Sequence, residues 1–137
     1  MAITALNPVT PIGSVTFTYD LKQVEDGLPL SVLDEFAAYS GVTKKELLEV
    51  VIPLRTLKHR KQKHEPLNLD ESDRLARVGR MFELAARVYG NAEDARDWLT
   101  TPKHRFGERT PLAMLRTSTG ELLVQEFLIQ IDEGYFA

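Results

Sequence analysis

The sequence contains no cysteine. That excludes disulfides, thiolate nucleophiles and cysteine-built metal centres, and it fits a reducing compartment. No apolar run approaches the roughly 18 residues that a membrane-spanning helix needs. Met1 to Gly13 lacks the charged start and apolar core of a signal peptide, so a cytoplasmic protein without a membrane partner is expected. Catalytic signatures are also missing: there is no G-x-G-x-x-G, no P-loop and no serine in a nucleophile-elbow context. His59, His64 and His104 lack the i, i+4 spacing of a helical metal site, and no carboxylate cluster completes one. Asp132 and Glu133, the most obvious carboxylate pair, are adjacent and point in different directions on a helix. No catalytic residue, cofactor or metal is therefore expected, and the chain does not read as an enzyme.

What is present describes an ordinary globular chain. Its 137 residues, 43% hydrophobic and 27% charged, suffice to bury a core without covalent staples. The net charge of −3 hides a segregation. From Lys44 to Glu65 seven basic residues face three acidic ones, whereas Thr117 to Ala137 holds four acidic residues and no Lys or Arg. The two regions prefer different partners.

Apolar spacing and cap signals predict an all-α chain. Residues 1–19 contain Pro8, Pro11 and Gly13 with no helical period, and read as an extended or mobile arm. Only Val15 to Tyr19 alternates in strand fashion, and one short strand without a partner is marginal. Asp20 caps a short helix ended by Gly27, and Leu30 to Tyr39 is helical up to the break at Ser40-Gly41-Val42. Thr43 with Glu46 forms a capping box for Lys44 to Val50. A tight break at Val51-Ile52-Pro53 then leads into Leu54 to Gln62. Short helix, short turn, short helix is the helix-turn-helix plan.

In the second of those helices Leu54 and Leu57 are expected to face inward. Arg55, Thr56, His59, Arg60 and Lys63 fan out on the other side, with Lys58 and Lys61 flanking the inner edge. Such a face can enter a major groove, its cations meeting phosphates and Arg55 or His59 reaching base edges. The candidate DNA-binding residues are therefore Arg55, Thr56, Lys58, His59, Arg60 and Lys63. A merely solvated basic face is the competing reading.

Asn68 and Glu71 cap a long helix over 69–89, the expected central packing element, with Arg74, Arg77, Arg80 and Arg87 on its wet side. Gly79 in its middle costs roughly 1 kcal/mol against Ala and points to another helix crossing close by. Asn91 caps 92–99. Thr110 is a suitable N-cap and Pro111 a suitable first residue for a short helix bearing Leu112 and Leu115. Ser118-Thr119-Gly120-Glu121 has capping-box spacing for a last helix over about 119–133. One stripe of that helix is Val124, Phe127, Leu128 and Ile131. Leu122 and Ile129 project from nearly the opposite face beside Glu126 and Glu133. Gly134 fits a left-handed helix end, and Tyr135-Phe136-Ala137 finish the chain with two aromatics and a carboxylate. Those aromatics either fold back on their own domain or meet a partner.

Several of these motifs together resemble one family. Arg109-Thr110-Pro111-Leu112 with Leu115, then Gly120, Leu123, Val124 and Ile131-Asp132-Glu133-Gly134-Tyr135-Phe136, are similar to the toxin-binding domain of the Xre/MbcA/ParS antitoxins. Glu71 to Leu75 and Ala95 to Leu99 belong to the same likeness, which extends back to about Asp20. The resemblance implies an Xre-like helix-turn-helix domain at 20–66 followed by a helical toxin-binding domain at 67–137. It implies an antitoxin that binds a RES-domain toxin, which degrades NAD, and that represses its own operon by binding operator DNA. The expected toxin-binding residues are Leu122, Glu126, Ile129, Glu133, Tyr135, Phe136 and Ala137. A homodimer is expected, since helix-turn-helix proteins usually read two half-sites. Val51 replaces the family's usual glycine in the turn, and a β-branched residue resists a left-handed conformation. Two other readings stay open: a stand-alone transcription regulator whose C-terminal domain serves dimerisation, and an interaction protein without DNA affinity.

Overall fold

A computed structural model describes residues 17–134. The expected Tyr135-Phe136-Ala137 contacts and most of the N-terminal arm lie outside the described residues. The helices, in chain order, are α1 (Leu21–Asp26), α2 (Ser31–Ser40), α3 (Lys44–Val50) and α4 (Leu54–Lys63). They continue with α5 (Leu69–Tyr89), α6 (Ala92–Leu99), α7 (Pro111–Met114) and α8 (Ser118–Asp132). The described residues contain no strand. One isolated bridge between Lys103 and Arg109 closes a loop around a 3-10 turn at His104–Phe106.

Local chemistry sets most of the helix starts. Asp20, Thr43 and Asn68 form capping boxes with Gln23, Glu46 and Glu71, each pair satisfying two backbone N–H groups that a helix start leaves unpaired. Thr110 accepts from the Ala113 N–H, with Pro111 directly after it. The start of α8 differs from expectation. Its cap is Thr117, whose hydroxyl accepts from the Gly120 N–H at 3.0 Å, and not Ser118. Glu121 is thereby released from capping and reaches Arg80 through two hydrogen bonds of 2.8 and 3.0 Å.

Helix α5 is the axis of the molecule, with α1, α6 and α8 packed along it. Leu75, Val78, Phe82, Ala85 and Ala86 disappear into a single core with Leu33, Phe36, Leu47, Leu57, Leu99, Leu115 and Leu128. Two expectations are corrected along this helix. Gly79 does not mark a helix crossing. The Phe17 carbonyl oxygen lies 2.0 Å from where a Cβ at this position would stand, so the chain entering α1 runs over it. Phe17 and Tyr19, expected in a loose arm, are half-buried against the core. The Phe17 ring sits 5.4 Å from that of Phe36 and 4.8 Å from that of Tyr39.

The arginines of α5 are not simply wet either. Arg74 donates to the Val51 carbonyl at 3.0 Å, and buried Arg77 donates to the Leu115 carbonyl at 3.0 Å and to Asp73. Arg80, expected on the wet side, pairs with Glu121. These side chains join α5 to the α3–α4 turn, to the end of α7 and to α8, which spacing along one helix could not show. Glu83 is buried and accepts from the Tyr39 hydroxyl at 3.2 Å and from the Phe17 backbone. Its burial pushes the carboxyl above its ordinary pKa. Next to it, burial and the Glu83 charge push the Tyr39 phenol up to about 12.

Candidate functional site

The helix-turn-helix is α3, the turn at 51–53, and α4. Val51 closes α3 at φ −92° and ψ −52°, ordinary right-handed geometry. The turn therefore needs no left-handed residue here, and Val51 is buried in the core instead of being a misfit. Ile52 is buried beside it. Pro53, extended at ψ 148°, then leads directly into Leu54.

Helix α4 is anchored by Leu57, which is buried, and by Arg60. The Arg60 Nε and Nη2 donate to the two carboxylate oxygens of Glu71 at 3.0 Å each, and Nη1 lies 3.4 Å from Glu65. Glu71 is itself buried and accepts from the Asn68 N–H at 2.8 Å, so one carboxylate both caps α5 and holds α4. Arg60 thus faces the body of the protein, a correction to its expected place in the outward fan. Pairing with Glu71 pushes its pKa up further.

Arg55, Lys58, His59 and Lys63 are exposed, Thr56 is half-buried, and none of these four exposed residues has an ion-pair partner among the described residues. Arg55, Thr56, Lys58, His59 and Gln62 line a shallow hollow on this face. Leu54, expected to point inward, is instead 52% exposed. It belongs with Leu48 and Pro53 to an apolar groove between α3 and α4, edged by Lys45, Lys58 and Lys61. Sequence reading missed this because a helical wheel places Leu54 within reach of Leu57, and only the packing of α4 on the core shows which of the two is covered.

The second candidate surface is α8. Val124 and Leu128 are fully buried, while Phe127 and Ile131 are partly buried against the core. Phe127 lies among Trp98, Phe106 and the Arg105 guanidinium, which is stacked 4.1 Å from its ring centre. On the outer side Leu122, Leu123 and Ile129 are exposed at 65%, 44% and 42%, with Glu126 and Glu133 exposed between them. Leu123 was not among the expected partner-binding residues. Its position about 100° from Leu122 put it between the two stripes, and spacing alone does not assign such a position. Gly134 is left-handed at φ 82°, as its place after the helix requires. The described residues hold no group of His, Asp or Glu that could bind a metal, and no helix long and apolar enough to cross a membrane.

The geometry presents a basic exposed face on α4 and an acidic, partly apolar one on α8, and comparison with known proteins finds two family domains in that order. The antitoxin Xre-like helix-turn-helix domain matches residues 21–80, and the antitoxin Xre/MbcA/ParS C-terminal toxin-binding domain matches residues 84–134. An Antitoxin Xre from Pseudomonas putida is 42% identical over 113 residues, covering 82% of this chain and 70% of that protein.

The chain belongs to the Xre family of antitoxins.

Two further Antitoxin Xre proteins, from Yersinia enterocolitica and Photorhabdus laumondii, are each 29% identical. The alignments cover 85% and 81% of this chain, and 80% and 76% of those proteins. As a member of this family the chain is an antitoxin rather than an enzyme, built from a helix-turn-helix domain and a toxin-binding domain. In this Xre-family chain the border between the two matched regions falls inside α5, between residues 80 and 84. A single helix therefore carries both domains. The electrostatic staple from Arg60 to Glu71 fastens α4 near the start of this helix, and that from Arg80 to Glu121 fastens α8 near its middle, at the end of the first matched region.

Proposed function

We propose that this Xre-family antitoxin neutralises a RES-domain toxin that degrades NAD, and that it represses its own operon through α4 as a homodimer in the cytoplasm. The observation that carries the toxin half is the outer face of α8. Three exposed apolar side chains alternate with carboxylates on a helix whose opposite stripe is already committed to the core. An apolar stripe of that kind on a helix surface gains by covering it with a partner. Leu122, Leu123 and Ile129 supply the apolar contact, and Glu126 and Glu133 set its polarity. Together with Tyr135, Phe136 and Ala137 they block the toxin's substrate cleft, where the carboxylates of Glu126 and Glu133 take the place of nucleotide phosphates. The DNA half rests on the exposed cations of α4 without ion-pair partners among the described residues, Arg55, Lys58 and Lys63, with His59 and Thr56 on the same face.

The test is native purification of the untagged chain together with its neighbouring gene products, followed by light scattering and mass spectrometry. A complex with a small protein that consumes NAD once released is the expected result. A chain lacking Gly134 to Ala137 should bind that toxin yet fail to silence it. Full neutralisation by the truncated chain would refute the occupied-cleft mechanism, and a lone homodimer that binds promoter DNA would refute the toxin assignment.

A further inference from the structure

We infer that Leu54 reads a thymine: its side chain packs against the C5-methyl group of a base in the operator major groove, while Arg55 addresses a neighbouring base edge. This rests on the proposed DNA-binding role of α4 and names what that face recognises. Leu54 is the first residue of α4, and in a helix-turn-helix the beginning of the second helix is the part that reaches base edges. It is 52% exposed, although buried Leu57 one turn on shows that the core accepts a leucine from this helix. At about 100° per residue, Leu54, Lys58, Arg55 and His59 stand at about 0°, 40°, 100° and 140° around the axis, one unbroken face. An apolar side chain is thus continuous with the cationic surface rather than hidden behind it.

The surroundings select the occupant. Leu48 and Pro53 extend Leu54 into an apolar groove, and Lys45, Lys58 and Lys61 edge it without ion-pair partners among the described residues. Lys44, also at the groove, pairs with Asp34 at 2.9 Å, and Glu49 is the carboxylate among the lining residues. An apolar strip flanked by lysines matches a surface with a methyl group between lines of anions. In the DNA major groove the thymine C5-methyl is the apolar group presented by the bases, and phosphates run along both edges.

The test measures binding of the full chain to its own promoter DNA while each thymine in turn is replaced by deoxyuridine, which removes the methyl group and nothing else. At one thymine per half-site the wild-type chain should lose about three- to fivefold in affinity, the effect of desolvating one methyl-sized group. The Leu54→Ala chain should bind thymine and uracil promoters equally, at about the weaker affinity, with an unchanged melting temperature confirming its fold. Retained discrimination in Leu54→Ala, or no sensitive thymine with the wild type, would overturn the inference while leaving the DNA role standing. Loss of toxin binding or self-association in Leu54→Ala, with DNA binding intact, would also overturn it by assigning the groove to a protein. No binding to any promoter DNA would overturn both the inference and the role it rests on.

Discussion

Replacing Arg60 by alanine removes the clamp between α4 and α5 and leaves Glu71 behind. That carboxylate is 5% exposed and keeps a single remaining donor, the Asn68 N–H at 2.8 Å, after losing two hydrogen bonds of 3.0 Å. Removing one partner from a fully buried pair costs roughly 3–5 kcal/mol, whereas exposed pairs contribute about 1 kcal/mol or less. Arg60 is itself 20% exposed, so water already reaches part of the guanidinium and can follow into the space it leaves. A loss of about 2–3 kcal/mol is expected, roughly 10 °C in melting temperature for a chain of this size. Arg55→Ala, on the open face of α4, is the control and should stay within about 0.5 kcal/mol of wild type. Calorimetry and urea unfolding measure both. The DNA assay separates the roles further: Lys63→Ala, which removes an exposed cation of the same helix, should reduce the salt dependence of promoter binding by about one phosphate contact, while Arg60→Ala should weaken binding with little change in that slope. If Arg60→Ala proves as stable as Arg55→Ala and instead flattens the salt dependence, the guanidinium belongs to the DNA and the clamp argument is wrong.

Gly79→Ala should destabilise the protein despite a helix-propensity gain of roughly 1 kcal/mol, because its Cβ would stand 2.0 Å from the Phe17 carbonyl. Hydrogen exchange should show residues 17–19 losing protection, and a simple gain in melting temperature would refute the close approach. Gly120→Ala should be worse, since the Met114 carbonyl lies 1.7 Å from the added carbon, and urea unfolding of the variant reads the loss. Glu83 carries a pH dependence with a definite sign. Its folded pKa is raised by burial above the ordinary value, so the folded state holds the proton more tightly, and stability is fully present below the ordinary carboxylate pKa. Stability then falls as pH rises from that value through the folded pKa, with Tyr39 on α2 and Arg87 on α5 as the groups facing the carboxylate. Glu83→Gln should flatten this part of the stability–pH curve. A fall of wild-type stability on acidification over that window, reversed by the substitution, would refute the assignment.

The sequence by itself determined where the helices begin, because caps are local. Asp20, Thr43, Asn68, Asn91 and Thr110 each satisfy N–H groups within three residues of themselves, so these starts follow from local contacts. It also determined the family, since motifs from Asp20 to the end occur in order at the spacing of one protein type. Where two local choices competed, as between Thr117 and Ser118, spacing chose wrongly, because Glu121 had a better partner 41 residues away on Arg80. Tertiary structure alone decided which charged and apolar side chains remain available for partners. Arg60 and Arg77 look on a helical wheel like Arg55, yet they are staples, because buried carboxylates and carbonyls from other helices meet them. Leu54 looks like Leu57, yet it is exposed, because the packed core covers one and not the other. Periodicity specifies the direction of a side chain around its own axis, and only packing between helices specifies what stands there.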